Sequence, residues 1–526
     1  MRHHIIRSGF LFQLAAVLAF LLSGCSGGSQ ASTTSPTLTA AKPQYGGELR
    51  IAISSVSYLD PQKSSLGGDP LLNGVYAAYL LDISEDGELL PSVAESWSML
   101  DPKTLVFKLR PGIKFHDGTD LDAAAVKFTI QRGQDPKTKA VRQAQYQEIT
   151  QVETPDPLTV VLHLVAPDSS LLYTNRGGAG PIVSPTAVQK WGDDFERHVV
   201  SAGPFQFESY TPDSQIVFKR FENYFEKDKD GNKLPYLDRV VFKIIPDAAV
   251  QIAALESGDI DIDPFTITGE FVDRIKGNHD LTLLTHAQDR TSLLQWNQQK
   301  PPLDNLNLRK AIAYAIDRDE LVKSIYGGYG VPAKEALAPA MWGHDPTIEG
   351  YNYDPAKAKD YLAKAGYPNG GVKLKAATYS SNKQLGEIIQ AQLKRVGIEM
   401  SLDVLESVAY GKAFRTDGAY DIGIDGYTYK PDADANLDGW FSSNGYYCPK
   451  GRSLPQNDVL LAQGRASYDL NERKRIYSQL QRLINDDVQS VFLVNGDRFM
   501  ATRNDVMGFT FGAFAQGDAR NVWLRR

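Results

Sequence analysis

The strongest constraint on the fold of this chain is a stretch of dense local patterning between residues 94 and 132. Residues 104–110 alternate between apolar and polar side chains, which is typical of a half-buried strand. Turns are predicted at residues 111–112 and 116–118, with a short second strand between them. Asp122 can then cap a helix. The stretch therefore predicts strand, turn, strand, turn and helix with almost no spare residue.

Two neighbouring residues of this stretch, His116 and Asp117, allow a catalytic interpretation as a dyad. Adjacent side chains in a tight turn cannot easily orient each other, and no nucleophile lies nearby in the sequence. We therefore expect His116 to bond locally and Asp117 to form a turn, and we predict no catalytic residue.

The order of residues in this region resembles a known family. The segments that carry the resemblance are Ala94-Glu95-Ser96-Trp97, the run from Asp101 to Thr119, and Val126-Lys127-Phe128-Thr129. They are similar to the signature region of the family 5 extracellular solute-binding proteins, the dipeptide/oligopeptide-binding receptors of ABC importers. The resemblance implies an α/β fold of the periplasmic-binding-protein type (class II, cluster C), with two lobes, an extra subdomain in the first lobe and a two-strand hinge. It also implies a protein that is not an enzyme and needs no cofactor.

The N-terminus has the pattern of a bacterial lipoprotein signal peptide over residues 1–24. Its apolar segment, residues 10–22, is shorter than the ~20 residues that a membrane-spanning helix needs. Leu22-Ser23-Gly24-Cys25 matches a lipobox, so Cys25 would carry the lipid. Residues 25–44 are predicted to be a flexible tether. We expect a protein on the periplasmic or extracellular face, anchored to the membrane by lipid.

Composition agrees with a folded body beyond the tether, since 42% of residues are hydrophobic and 23% are charged. The net charge is −7, and removal of Arg2 and Arg7 with the signal leaves −9, which argues against nucleic-acid binding. Once Cys25 is lipidated, Cys448 is the one cysteine left, so no internal disulfide can form. The scattered histidines lack metal-ligand spacing, and we predict no metal site.

The body of the chain is predicted to divide at positions implied by the resemblance. We expect a first lobe over residues 45–289, with the extra subdomain at about 77–200, a second lobe over 290–494, and a return to the first lobe over 495–526. A β-α-β unit with parallel strands is predicted at residues 372–405. Further strands are predicted at 45–53, 159–164, 293–297 and 490–495, and helices at 73–81, 248–257, 308–316 and 469–486. The segment from Asp228 to Asn232 resembles a calcium loop but lacks the distal Glu, so we expect a hairpin turn.

The densest run of unusual residues lies between Tyr420 and Lys450, and it combines five Asp with many aromatic residues. In one interpretation the carboxylates do acid–base work, as in a glycosidase. In another the rings form apolar walls and the acids orient a bound solute. In a third the acids cap turns and the rings fill the core.

The family resemblance favours binding, with two departures. Dipeptide and oligopeptide receptors hold the peptide amino group with an Asp in this segment, and an ungapped match places Lys430 there, whereas a small gap would bring in Asp432. An ammonium would be repelled by Lys430. The loop from Thr378 to Gln384 also lacks the Arg with which dipeptide receptors hold the carboxylate. Strict dipeptide specificity is therefore not expected, and longer peptides, sugars and opine-like compounds stay open.

We predict a monomeric receptor that captures a peptide or similar small solute and passes it to ABC permease subunits with cytoplasmic ATPases. A non-peptide solute is the first alternative, such as an oligosaccharide or an opine-like compound. A secreted hydrolase that uses the Asp-rich run, and a surface receptor without a transport role, are the others. The predicted ligand-binding residues are Tyr58, Trp296, Asn297, Trp342, Tyr427, Tyr429, Asp432, Asp434, Trp440 and Tyr446.

Overall fold

A computed structural model describes residues 42–63, 69–84, 87–174, 176–428, 430–512 and 517–525. The predicted signal peptide, Cys25, most of the tether and Tyr429 lie outside these residues. Residues 43–526 form one unit by their internal contacts, and the predicted lobe boundaries within it stay predictions. Within the described part of the chain, none of the helices combines the length and apolar character that a bilayer-spanning segment needs.

The strands are numbered in chain order. They are β1 Glu48–Ile53, β2 Leu81–Ile83, β3 Leu89–Pro91, β4 Ala94–Asp101, β5 Thr104–Leu109, β6 Ile149–Asp156, β7 Thr159–Leu164, β8 Phe205–Thr211, β9 Gln215–Arg220, β10 Arg239–Ile244, β11 Ile262–Asp263, β12 Leu281–Gln295, β13 Gly330–Pro332, β14 Val372–Tyr379, β15 Ile398–Leu405, β16 Ile422–Thr428, β17 Ser490–Arg503, β18 Val506–Met507, β19 Thr510–Phe511, β20 Gly517–Asp518 and β21 Trp523–Leu524.

The α-helices are numbered in the same way. They are α1 Asp69–Tyr76, α2 Ala123–Gln134, α3 Gln143–Gln147, α4 Leu171–Thr174, α5 Pro185–Trp191, α6 Ala248–Ser257, α7 Gly269–Lys276, α8 Leu306–Ala315, α9 Arg318–Tyr326, α10 Pro355–Lys364, α11 Lys383–Arg395, α12 Ser407–Tyr410, α13 Ala433–Phe441, α14 Pro455–Ala466 and α15 Leu470–Asp486. Short 3₁₀ segments lie at Pro136–Thr138, Gly192–Arg197 and Ser380–Asn382, and a π-helical turn lies at Gly411–Thr416.

A large mixed sheet organises the fold. Its strand order is β15-β14-β16-β12-β17-β11-β1-β10-β9-β8, with β13 paired to β17. β14 is parallel to both β15 and β16, and β1 is parallel to both β10 and β11. The sheet therefore has one parallel group at each side, and β12 and β17 lie between the two groups.

The two long central strands connect the halves of this sheet. β12 pairs antiparallel with β17 along its length, from Leu281 opposite Arg503 to Gln295 opposite Ser490. The register shifts between His286 and Arg290. On one side of the shift β17 pairs with β11, and on the other side β12 pairs with β16. The irregularity therefore falls where one half of the sheet gives way to the other.

A separate four-stranded sheet, in the order β4-β5-β7-β6, forms with α2 a second core within the predicted extra subdomain. The predicted alternation is confirmed there, because Leu105, Phe107 and Leu109 are all buried. The predicted cap is also confirmed, since the Asp122 carboxylate accepts a hydrogen bond from the Ala125 amide at 3.0 Å. The patterned stretch at residues 94–132 thus provides β4, β5 and α2 of this second core.

Several other predicted elements are confirmed, while some are wrong in their bounds. The predicted parallel pairing of residues 372–379 with 398–405 is observed, and α6 and β7 have the predicted bounds. The predicted short strand at 113–115 is wrong, because Lys114 forms only an isolated bridge with Asp120. The helix predicted at 73–81 runs instead over Asp69–Tyr76. It ends at Tyr76 because the carbonyl of this residue accepts a hydrogen bond from the amide of the distant Gly203 at 3.0 Å.

The expectation that His116 bonds locally is wrong, because its hydrogen-bond partners lie 85 and 87 residues away along the chain. Its Nδ1 accepts a hydrogen bond from the Ser201 amide at 3.3 Å, so the proton on Nε2 can be donated to the Gly203 carbonyl at 3.0 Å. Burial lowers the pKa of His116 to about 4, which keeps the ring neutral. The Asp117 carboxylate accepts hydrogen bonds from the Thr119 amide and the Ser184 hydroxyl. Both residues thus have structural roles, since His116 holds the distant segment of Ser201 and Gly203 and Asp117 combines a turn with a bond to Ser184.

The calcium-like loop is a hairpin turn, as predicted. The Asp228 carboxylate accepts hydrogen bonds from the amides of Asp230 and Asn232, at 2.9 and 2.7 Å, and from the Tyr236 hydroxyl. These donors, with the Tyr236 hydroxyl first, lower the pKa of Asp228 to about 2. Among the described residues no group of His, Cys, Asp and Glu is arranged to hold a metal ion.

Candidate functional site

The Asp-rich segment lies at the carboxyl end of β16, where a short connection leads into α13. Ligand sites in α/β sheets commonly form at the carboxyl ends of strands. Asp432 is the N-cap of α13, because its Oδ1 accepts a hydrogen bond from the Asp434 amide at 2.9 Å. The same end of the sheet carries Tyr379, the last residue of β14.

Asp432 forms a buried ion pair. Its Oδ2 lies 2.8 Å from Nη1 of Arg473, on α15, and both side chains are about 1% exposed. Nη2 of Arg473 donates a hydrogen bond to Asp432 Oδ1 at 3.0 Å, so both carboxylate oxygens lie close to the guanidinium. The guanidinium lies over the ring of Trp342 at 5.2 Å. Asp432 was predicted to contact a solute, and its negative charge is balanced by the positive charge of Arg473.

Asp434 and Asp438 share one arginine. Arg465, on α14, lies 2.9 Å from Asp434 Oδ2 through Nε and 2.5 Å from Asp438 Oδ1 through Nη2. Burial raises the pKa of Asp434 to about 7, while Arg465 opposes that shift. Arg465 is therefore the group that favours the charged form of Asp434 in this position.

A group of aromatic rings packs beside these acids. Trp440 stacks on Tyr447 with ring centroids 4.5 Å apart, and it meets Tyr427 at 5.1 Å. Trp440 is 2% exposed, and the Tyr427 hydroxyl donates to the carbonyl of Ala336. Both predicted residues thus belong to the core as well as to the candidate site.

The guanidinium of Arg415 lies among three aromatic rings. Its guanidinium carbon lies 4.8 Å from the Tyr447 centroid, 5.4 Å from Tyr410 and 5.7 Å from Trp440. It forms an ion pair with Asp425, which also accepts a hydrogen bond from the Tyr379 hydroxyl at 3.2 Å. Asp425 is buried, and its carboxylate is held by these donors and by the Gly426 amide.

Lys430 lies between β16 and α13 and is half-buried. Its Nζ donates to the Ala435 carbonyl at 2.7 Å. Burial lowers the pKa of Lys430 to about 8, and the positive charge of Arg142 adds to this shift. Whether Lys430 or Asp432 occupies the amine-binding position that the family resemblance suggests stays a prediction.

Three further predicted residues have different surroundings. Trp296 is completely buried in the core of the β14–β16 half, and its indole N–H donates to the Val488 carbonyl at 3.1 Å. The Asn297 side chain accepts a hydrogen bond from the Gln299 amide at 3.0 Å. Trp342 is partly buried and meets the ring of Tyr477 edge-on at 6.2 Å. The solute contacts predicted for these residues stay predictions.

Two of the remaining predicted residues are exposed. Tyr58 is 47% exposed and Tyr446 is 82% exposed. Tyr446 meets Tyr447 edge-on at 4.9 Å, so it extends the aromatic group to the surface. Tyr429 lies outside the described residues.

The site therefore unites Tyr427, Asp432, Asp434, Trp440 and Trp342, and sequence reasoning missed the three arginines that bind its acids. Arg473, Arg465 and Arg415 lie on other elements, up to 41 residues away along the chain. One signal was available, since buried carboxylates need cationic or hydrogen-bonding partners. No sequence pattern indicated which arginine would supply them.

The fold and the site together define a class of protein. A sheet in two halves, connected by two long strands, with aromatic and acidic groups at its strand ends, is suited to binding a small molecule. The sequence model of the family "Bacterial extracellular solute-binding proteins, family 5 Middle" matches residues 88–448. The chain therefore belongs to this family.

Individual relatives give further detail. The dipeptide-binding protein of Escherichia coli (strain K12) is 30% identical over 472 residues, which cover 83% of this chain and 86% of the relative. The structure of the periplasmic binding protein DppA from Helicobacter pylori, in complex with the peptide STSA, matches with a TM-score of 0.78 and 25% identity, over 92% of this chain and 99% of that one. The structure of AgaA from A. tumefacien R10, in complex with agropinic acid, matches with a TM-score of 0.76 and 29% identity, over 91% and 99%. These matches confirm the predicted fold class.

Proposed function

We propose that this protein captures a peptide or peptide-like solute between two lobes and delivers it to ABC permease subunits driven by cytoplasmic ATPases. The observation that carries the proposal is the interruption of the β12–β17 pairing between His286 and Arg290, where the two halves of the sheet meet. Gln288, within the interruption, has a φ of 56°. A hinge there gives an open and a closed state, and a solute that contacts both lobes favours the closed one.

The proposal includes a location outside the cytoplasm with a lipid on Cys25. Support comes from the lipobox at residues 22–25 and from the family, whose members are extracellular solute-binding proteins. Fractionation of cells that express the full chain tests this part. The wild type is expected in the membrane fraction, and the Cys25→Ser variant is expected to lose its membrane association. An unchanged distribution of the variant would contradict lipid anchoring.

A non-peptide solute is the second candidate. Lys430 beside the acidic segment and the absence of arginine from Thr378 to Gln384 both differ from a dipeptide receptor. The match to a protein in complex with agropinic acid, at 29% identity, supports the same alternative. A hydrolase is disfavoured because Asp425, Asp432 and Asp434 are each engaged by an arginine.

Four measurements test the proposed function. Native mass spectrometry of the purified mature protein identifies any solute that co-purifies, and calorimetry with peptides of two to five residues and with agropinic acid ranks the two solute classes. Small-angle X-ray scattering then compares the protein with and without a saturating concentration of the tightest binder. The radius of gyration is expected to fall, and an unchanged value would overturn the hinge. Turnover of a substrate that Asp425→Asn or Asp432→Asn abolishes would overturn the binding role.

A further inference from the structure

A second pocket lies at the amino end of β16. Asp432 and Asp434 of the candidate site follow the opposite, carboxyl end of this strand. β16 has seven residues, so about 20 Å separates its two ends. The pocket has a volume of about 420 Å³ and is open to solvent. The proposed function does not use this pocket, so it can bind a different ligand.

Three loops form the walls of this pocket, and hydrogen bonds hold them together. They are the connection after β12, the π-helical turn with the residues that follow it, and residues 449–453. The Lys450 amide donates to the Arg415 carbonyl at 2.7 Å, which joins the last loop to the π-helical turn. The side-chain amide of Gln299 donates to the Ser453 carbonyl at 2.8 Å, which joins the first loop to the last. The pocket is therefore built into the fold.

Two lysines line the pocket without an acidic partner. Within the part of the chain that the structure describes, neither Lys300 nor Lys450 forms an ion pair. The Lys300 ammonium lies against Gly418, where an added Cβ atom would collide with it. Asp421 is the acid that lines the pocket, and its Oδ2 accepts a hydrogen bond from the Lys375 amide at 2.8 Å. The lining therefore carries two positive charges and one negative charge, in a chain whose net charge is −7. This local excess of positive charge favours an anion.

Asn297 supplies a hydrogen-bond donor at the same pocket. The residue is 8% exposed, and its Oδ1 accepts a hydrogen bond from the Gln299 amide at 3.0 Å. This bond fixes the orientation of the side-chain amide and leaves Nδ2 as its donor. Nδ2 donates no hydrogen bond to the described residues and is not fully enclosed. A largely buried donor needs an acceptor, and an anion in the pocket can provide one.

The other walls of the pocket are mostly apolar, and they are formed by Pro301, Leu303, Phe414, Pro449 and Tyr420. Apolar walls with a few polar groups are typical of a site for a small organic molecule. We propose that this pocket binds a small organic anion, whose charged group contacts Lys300, Lys450 and Asn297. The apolar body of the anion packs against the proline and aromatic side chains. The inference does not rest on the proposed function, because the solute is expected at the other end of β16.

The charged group can be a carboxylate or a phosphate, and ¹⁹F NMR titration of the purified mature protein distinguishes them. The probes are 4-fluorobenzoate, 4-fluorophenyl phosphate and the neutral 4-fluorobenzyl alcohol. At least one anion is expected to bind about 10-fold or more tightly than the alcohol, because it accepts charge-assisted hydrogen bonds. The tighter anion assigns the charged group. Binding of neither anion, or equal binding of all three probes, would overturn the inference.

Competition by anions without a ring tests the apolar part of the site. Acetate and inorganic phosphate are each expected to bind about 10-fold more weakly than the aromatic probe with the same charged group, because they bury less apolar surface. Equal affinities would overturn the assignment to an organic anion.

Variants locate the bound anion. The double variant Lys300→Gln/Lys450→Gln is expected to weaken anion binding about 10-fold or more. The matched control is Lys323→Gln/Lys359→Gln, which removes the same charge at exposed lysines of α9 and α10 and is expected to keep the wild-type affinity. Equal affinities of the two double variants would place the anion elsewhere and overturn the inference.

Asn297→Asp tests the amide without a change in side-chain size. The variant keeps an oxygen for the Gln299 amide, but it replaces the N–H donor by a negatively charged oxygen. Anion binding is expected to weaken about 10-fold or more, because like charges repel. Wild-type affinity in Asn297→Asp would contradict the contact between the anion and Asn297.

Discussion

Asp432 Oδ2 lies 2.8 Å from Nη1 of Arg473, and this ion pair is almost completely shielded from water. Removal of one partner of a buried pair leaves an uncompensated charge, which costs about 3 to 5 kcal/mol. We therefore expect Asp432→Asn to lower the free energy of unfolding by about 3 kcal/mol or more. Urea denaturation measures this change.

The double variant Asp432→Asn/Arg473→Met provides the control for this prediction. Without either charge the site no longer buries an unpaired ion, so the double variant is expected to be more stable than Asp432→Asn alone. If Asp432→Asn instead kept its stability and lost solute affinity, the carboxylate would be a ligand contact, as the sequence suggested.

A second prediction concerns how the stability of the protein changes at acidic pH. The pKa of His116 in the folded protein is about 4, below the ordinary 6.5, so the unfolded chain binds more protons between these values. The free energy of unfolding is therefore expected to fall as the pH decreases from about 6.5 to 4, by up to about 3 kcal/mol from this residue. Denaturation of the wild type and of His116→Gln across this range isolates the contribution.

His116→Gln is expected to lose part of the wild-type decline in stability between pH 6.5 and 4. Parallel curves for the wild type and His116→Gln would show that the imidazole of His116 is protonated as easily in the folded protein as in the unfolded chain.

The features that the sequence predicted well depend on neighbouring residues. The Asp122 cap of α2 could be predicted because its carboxylate bonds to an amide only three residues away. The parallel pair β14 and β15 followed from apolar runs separated by a helical pattern and a glycine. The family resemblance supplied the overall architecture.

What the sequence could not predict depends on partners from distant segments. β4 lies at the edge of its sheet and is mostly exposed, so it lacks the apolar alternation that indicates a strand. Trp296 is buried in the core, but the residues next to it in the sequence fit a position in the core as well as one in a binding cleft. The acids of the candidate site were recognised by their composition, but their pairing with Arg415, Arg465 and Arg473 required the fold.

A third prediction tests why glycine occupies position 203. A Cβ atom there would lie 2.5 Å from both the carbonyl carbon and the oxygen of Tyr76, which are backbone atoms that cannot rotate away. Gly203→Ala is expected to destabilise the protein by about 3 kcal/mol. Gly74→Ala is the control, because a Cβ at this helical position meets no atom within 4 Å. That variant is expected to gain about 0.5 to 1 kcal/mol from helix propensity, and losses of equal size in both variants would contradict the steric explanation.

The last prediction concerns Arg415, whose guanidinium lies among the rings of Tyr410, Trp440 and Tyr447 and pairs with Asp425. A lysine keeps the charge but lacks the planar group that stacks on rings and donates in a fork. Arg415→Lys is therefore expected to lower the free energy of unfolding by about 1 to 3 kcal/mol, as measured by urea denaturation. The control is Arg197→Lys, where the arginine is 73% exposed and lies 3.7 Å from Asp194, which is 52% exposed. Because an exposed pair contributes little, this control is expected to change stability by less than about 0.5 kcal/mol. An Arg415→Lys variant as stable as the control would show that charge alone is sufficient at this position.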